Sequence, residues 1–193
     1  MTNETPAQAA LSQAAGEWAT RPRADRLARL EKTPQEVAER IEGRRYADLR
    51  GSGPDGWSAT EIVCHLRDID DLSILRFRMM LWMDDPKLPA AVRPTEPGAW
   101  AMPASQETVI DPERWAVDRQ YRRSDARDAL AAFTDLRADL LAVLARLQPE
   151  QWQRGGIHPS FGRMTFEDWV ALLASHDVNH LTQLEGALAA LDG

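Results

Sequence analysis

The sequence predicts an all-α fold, a four-helix bundle with a long crossover connection. Three observations lead there. Apolar residues recur at helical spacing along four long stretches, while strand-like alternation is scarce. Two of those stretches open on capping-box signatures, "SATE" from Ser58 and "TFED" from Thr165. The run from 84 to 123 carries six prolines and is too long for simple up-down-up-down wiring, so one connection must cross the bundle.

The elements follow in order. Residues 8–31 are rich in Ala, Leu, Arg and Glu, with Pro22 as an interruption. "TPQEVAERIEG" then reads as a fresh start, with Thr33 as N-cap, Pro34 at N1, Glu36 at N3 and Gly43 as the stop. The second helix, "WSATEIVCHLRDIDDLSILRFRMMLWM", is capped by Ser58 with Glu61, stapled by Trp57 and Ile62, and expected to run to about Met83. Its apolar stripe is Ile62, Leu66, Ile69 and Leu72, and His65 lies within it. The run 84–123 reads as a lid, a partner-binding element or an ordered crossover. The third helix, about 125–147, takes Ser124 as N-cap; Arg137 interrupts its stripe of Leu130, Phe133, Leu140 and Leu144. The fourth follows the turn "QRGGIHPSFGRMT", takes Thr165 as N-cap with Asp168 at N3, and runs to about Leu191. Residues 1–22 read as an N-terminal extension and 23–193 as one bundle domain.

Composition narrows the function classes. The chain has 193 residues, a net charge of −7 and a pI of about 5.1. That acidity gives no general electrostatic reason to bind nucleic acid. No apolar run approaches the roughly 18 residues of a membrane span, and "MTNETPAQAA" lacks the pattern of a secretory signal. Cys64 is the only cysteine, so no intramolecular disulfide forms. These readings point to a cytoplasmic protein acting on a small molecule, without nucleic-acid or membrane partners. No Gly-rich phosphate loop or GxSxG elbow is present.

The chemistry concentrates in "SHDVNHLTQL". His176 and His180 are four residues apart, so they project from one helix face, continued by Trp169 and Leu173 on one side and Gln183 and Leu184 on the other. Two imidazoles so placed can chelate one divalent metal. His65, on the stripe of another helix, is the candidate third ligand, because bundle cores build metal sites from facing helices. Three neutral histidines with an open fourth position form a catalytic rather than a structural arrangement. Zinc, nickel, iron and manganese all suit it. The opposing reading is a set of core histidines with hydrogen-bond partners and no metal.

Neighbouring residues bear on the chemistry. Asp177 follows the first histidine where zinc proteases carry a general-base Glu, and is the candidate catalytic carboxylate; a surface Asp is the alternative. Gln183 either orients a ligand or makes a structural hydrogen bond. Asp68, one turn beyond His65, either orients an imidazole or faces water. His158 reads as a turn histidine, and Cys64 as buried filler.

The stretches "GWSATEIVCHLRDID" and "GIHPSFGRMTFEDWVALLASHDVNHLTQL" resemble the DinB-like superfamily, the YfiT-like metal-dependent hydrolases, over about residues 23–191. The shared pattern is composite: a Trp-Ser helix start, a His seven residues after Ser58, and an HD-x-x-HL-x-Q run. The resemblance implies a four-helix bundle with His65, His176 and His180 as ligands to a divalent metal, most simply zinc or nickel. It also implies either hydrolysis or thiol S-transfer with a low-molecular-weight thiol, and pairing into homodimers. The competing expectation is a non-catalytic module in which a structural metal or bound ligand steadies the bundle.

Overall fold

The computed structural model describes residues 5–91, 109–110 and 112–190. Four long helices carry the fold: α2 (Arg23–Ile41), α3 (Ala59–Trp82), α5 (Ala126–Ala145) and α6 (Phe166–Ala189). They are preceded by α1 (Pro6–Ala15), and α4 (Pro112–Asp118) lies in the crossover. Two-residue strands β1 (Ala90–Ala91) and β2 (Val109–Ile110) pair in parallel within the crossover, and β3 (Gly155–His158) and β4 (Gly162–Thr165) form an antiparallel hairpin before α6. Residues 92–108 and 111 of the crossover lie outside the described residues.

The expected caps of α3 and α6 are in place. Ser58 accepts from Glu61 N while the Glu61 carboxylate accepts from Ser58 N, and Thr165 and Asp168 do the same. α5 is capped one residue later than expected, by Asp125, whose side chain accepts from Arg127 N. The break near Pro22 is also present, since Pro22 sits at the N-cap of α2. The fresh start at Thr33 is not: α2 continues through Pro34. A proline inside a helix has no N–H, which deprives the carbonyl four residues back, Leu30 O, of its partner. Here Arg137 Nη1 donates to Leu30 O at 2.7 Å. Thr33 does not cap; its hydroxyl turns inward and donates to Asp177 Oδ2 at 2.6 Å.

The turn before α6 is the β3–β4 hairpin. Gly155 belongs there because a Cβ at that position would stand 2.6 Å from Met164 O, closer than packed atoms tolerate. The hairpin also holds the exit of α3, with Ile157 N donating to Pro86 O at 2.7 Å and Leu88 N to Ile157 O at 2.9 Å. At the other end of the chain α1 lies on α6, where Ser175 Oγ donates to Ala14 O at 3.0 Å and Leu11 and Ala15 are buried.

α2 packs on α5 and α6, and α3 packs on the same two helices. The ring order is therefore α2–α5–α3–α6, and the consecutive helices α2 and α3 stand across the diagonal. The apolar interior divides into two clusters, one around Ile62, Phe133 and Leu184, the other around Phe77, Leu140 and Trp169. Between them lies a polar layer centred on Arg137, which is 2% exposed. Its guanidinium grips Asp70 of α3 (2.7 and 3.1 Å) and Asp177 of α6 (2.6 and 3.1 Å), besides Leu30 O of α2. One side chain thus ties all four helices together. Paired bidentate contacts of this kind are the strongest the protein repertoire offers. Burial opposes the charge on Arg137, but the two carboxylates more than offset it and its pKa rises. Burial outweighs Arg137 at Asp70, whose pKa is pushed up to about 6.

Candidate metal centre

His65 is on the second turn of α3, and His176 and His180 occupy the middle of α6. Because Asp177 points to Arg137 at the bundle centre, the residue before it is turned about 100° around α6. His176, and His180 one turn on, therefore face the seam between α6 and α3, where His65 waits. The three ring nitrogens meet there. His176 Nε2 is 3.1 Å from His65 Nε2 and 3.0 Å from His180 Nε2. One ligand atom from each histidine lies within 4.8 Å of the others. The rings tilt against one another with centroids 4.2–5.1 Å apart, and the Trp57 ring closes on His65 edge-on at 5.7 Å.

The chemistry of this donor set fits a cation. A neutral ring nitrogen offers one proton or one lone pair, so His176 Nε2 cannot satisfy two neighbouring nitrogens at once. His180 Nδ1 lies 2.6 Å from Gln183 Oε1; the amide oxygen accepts the Nδ1 proton, which leaves Nε2 with its lone pair facing the cluster. The 3.0 and 3.1 Å separations are close to the roughly 3.3 Å edge of a tetrahedron with metal–nitrogen bonds of about 2.0–2.1 Å. The Nδ1 atoms of His65 and His176 are buried with no hydrogen-bond partner among the described residues.

Electrostatics keeps the rings neutral. Burial pushes the His65 pKa down to about 3, helped by His180 and opposed by Asp68. Burial lowers His176 well below its ordinary value, with His180, His65 and Arg137 adding to the effect. His180 is lowered too, again by burial, and the Gln183 bond works against the shift. Neutral imidazole is the form that ligates a metal.

The surrounding residues divide. Gln183 faces the site and hands its bond on, since its Nε2 donates to the Asp55 carboxylate in the loop before α3. Nothing in the spacing of Asp55 links it to a histidine 125 residues away, so the sequence does not single it out. Asp177 is fully buried and is not brought to the histidine nitrogens: Arg137 holds both of its oxygens and Thr33 donates to one of them. A surface carboxylate there is ruled out by that burial. Asp68 neither touches His65 nor faces water. It is buried, accepts from Arg67 (2.8 Å) and Arg119 (2.7 Å), and takes the Tyr121 hydroxyl, fixing the end of the crossover. Cys64 is buried filler with its thiol pKa raised by burial. His158 is in the hairpin, away from the cluster, stacked on Phe161.

The DinB superfamily model matches residues 7–184 of this chain. The chain belongs to the DinB superfamily. Its DinB match begins within α1 and ends just beyond Gln183. A curated relative from Bacillus subtilis (strain 168), named "Putative metal-dependent hydrolase YfiT", is 25% identical over 157 residues, spanning 80% of this chain and 78% of the relative. The solved structure of YfiT from Bacillus subtilis, described as "a probable metal-dependent hydrolase with an unusual four-helix bundle topology", superposes with a TM-score of 0.71. It shares 23% identity and covers 88% of this chain and 87% of its own. The expected helical-bundle class and the expected family are both borne out, and the diagonal placement of α2 and α3 gives the topology its physical description.

Proposed function

We propose that His65, His176 and His180 hold one divalent metal ion, and that the site hydrolyses a small-molecule substrate. The observation that carries the reading is the meeting of three neutral Nε2 atoms from two helices, with separations of 3.0 and 3.1 Å along the cluster. The metal-dependent hydrolase name of the relative points the same way. A divalent ion held by these three nitrogens would supply Lewis acidity. The chain's own residues do the rest. Gln183, braced by Asp55, fixes the His180 ring with Nε2 inward, and such outer partners set ligand orientation. Arg137 fixes the rotation of α6 through Asp177. With both oxygens occupied, Asp177 has no free lone pair aimed at a reacting proton, so its role is to position the helix rather than to act as a base.

Metal content of the purified, untagged protein by mass spectrometry tests the ligand set, beside His176→Ala. Near-stoichiometric zinc or nickel in the wild type, absent from the variant, is expected. A wild type that stays empty after incubation with zinc, nickel and manganese sinks the reading. An ester and amide panel run beside a thiol-acceptor panel then separates hydrolysis from S-transfer, the other chemistry the family resemblance implies. Blank panels combined with a chelator-dependent fall in melting temperature would instead assign the metal a structural role.

A further inference from the structure

The helix faces that carry the histidines continue beyond them. On α3 the positions in line with His65 are Ile69, Leu72 and Arg76; on α6 those in line with His176 are Leu173 and Trp169. Arg76 and Trp169 meet, with the guanidinium carbon 4.6 Å from the indole centroid. The seam between α3 and α6 thus holds the histidine cluster at one level and an arginine on a tryptophan further along, about 10 Å from His176 to Trp169 by helical rise.

Arg76 is unusual for a buried cation. It is 4% exposed, and no carboxylate stands within ion-pair distance of it among the described residues. Nε donates to Pro89 O at 2.7 Å. Burial alone pulls its pKa down to about 9. Arg137, almost equally buried, has two carboxylates. Taking an ion out of water costs several kcal/mol unless a counter-charge is supplied, so Arg76 stands as a half-made ion pair.

Two further donors stand beside it. Trp169 is 2% exposed, and its Nε1–H is buried with no acceptor among the described residues. An indole nitrogen can only donate. His158 meets Trp169 with ring centroids 5.9 Å apart. Its Nδ1 accepts from Ser160 N (3.1 Å) and Phe161 N (3.3 Å), which places the proton on Nε2. Burial, with the nearby Arg76 charge, lowers the His158 pKa to about 4 and keeps that tautomer neutral. Among the described residues, Arg76, Trp169 and His158 are a set of donors without an acid.

We propose that Arg76, with Trp169 and His158, forms an anion-binding subsite that takes the carboxylate or phosphate group of a small molecule whose other end lies at the histidine cluster. As an anion site it stands alone; as a substrate anchor it rests on the metal-site reading. The chemical class it selects is an anionic small molecule, with its charged group about two helical turns from the reacting bond.

The first test uses chelator-treated full-length protein labelled with nitrogen-15. Sodium acetate and inorganic phosphate are titrated separately at constant ionic strength against chloride, and the Trp169 indole N–H is followed, its resonance assigned by its loss in Trp169→Phe. A saturable shift of that resonance is expected, weakened about tenfold or more in Arg76→Met, as suits one lost charge-assisted hydrogen bond. The stronger probe identifies the carboxylate or phosphate source. An indole that moves with neither probe, or moves equally in Arg76→Met, overturns the proposal; a fall in melting temperature alone would make Arg76 a structural clamp on Pro89. Should Arg76→Met not fold, Arg76→Lys replaces it, and the wild-type titration decides in any case. The second test compares a carboxylate-bearing ester with its neutral counterpart on loaded protein. Arg76→Met raises KM for the anionic ester about tenfold and narrows the difference within the pair. If neither ester is hydrolysed the hydrolytic reading of the metal site fails, while the indole titration still decides the anion site.

Discussion

Acidification of the metal-free protein tests the electrostatics of the site most directly. Each of the four histidines is neutral in the folded chain and charges freely once unfolded. The stability it contributes is full above pH 6.5 and is lost as the pH falls from 6.5 towards its folded value, about 3 for His65. Between pH 7 and pH 5 His65 alone forfeits about 2 kcal/mol. His158, His176 and His180 are displaced in the same direction and add to the loss. Asp70 opposes them. Its folded pKa of about 6 lies above the ordinary 3.8, so it regains about 1 kcal/mol as it protonates over the same interval. The net loss is therefore at least about 1 kcal/mol and at most about 6. Urea unfolding of chelator-treated protein at the two pH values reads it, with the smaller figure moving the midpoint by about half a molar. His65→Leu should shrink the pH-dependent difference by about 2 kcal/mol. Equal or greater stability at pH 5 would refute the claim that these rings are held neutral, and with it the case for a ready metal site.

Other outcomes follow from the same contacts. Arg137→Met strands two buried carboxylates and should lose about 3–5 kcal/mol in urea unfolding, part of it recovered by adding Asp177→Asn. Gln183→Ala frees the His180 ring and should weaken metal binding about 10- to 100-fold by competition with a chelating dye, while helicity by circular dichroism stays the same. Ser58→Ala removes the α3 cap and should cost about 1 kcal/mol, read as a lower melting temperature. Gly53→Ala places a Cβ 2.8 Å from Ala187 Cα and should cost about 1–3 kcal/mol as the turn before α3 is forced off α6.

Local signals were readable wherever one stretch of chain settles its own conformation. The caps at Ser58 and Thr165, the stripe of α3 and the i, i+4 histidines are of that kind, and the family pattern rests on them. Signals that depend on a distant partner were not. Pro34 reads as a helix start because Arg137, about a hundred residues on, is not visible as a substitute donor for Leu30 O. Asp177 resembles the base of a zinc-protease helix until its neighbour across the bundle is known. Asp68 reads as a charge that either orients an imidazole or faces water, yet it is buried and does neither. Arg137 reads as a break in an apolar stripe, and that break is the one sequence trace of the polar layer. The β3–β4 hairpin escaped because its strands are four residues each, too short for alternation to register.

The clasp of Arg137 with Asp70 and Asp177 also bears on how this sequence can drift. Replacing Arg137 alone abandons two carboxylates in the interior, and replacing either carboxylate leaves buried guanidinium donors without acceptors, whereas exchanging all three for apolar residues of similar volume tends to be neutral or better. The apolar alternative is therefore separated from the present state by unfit intermediates, and lineages have little means of crossing one step at a time. The triad is kept by the shape of the path as much as by its own merit. Descendants of a common ancestor should carry the three charges together or have lost them together, and a surviving partial set should come with a further substitution nearby that neutralises a stranded carboxylate or accepts from the freed guanidinium donors.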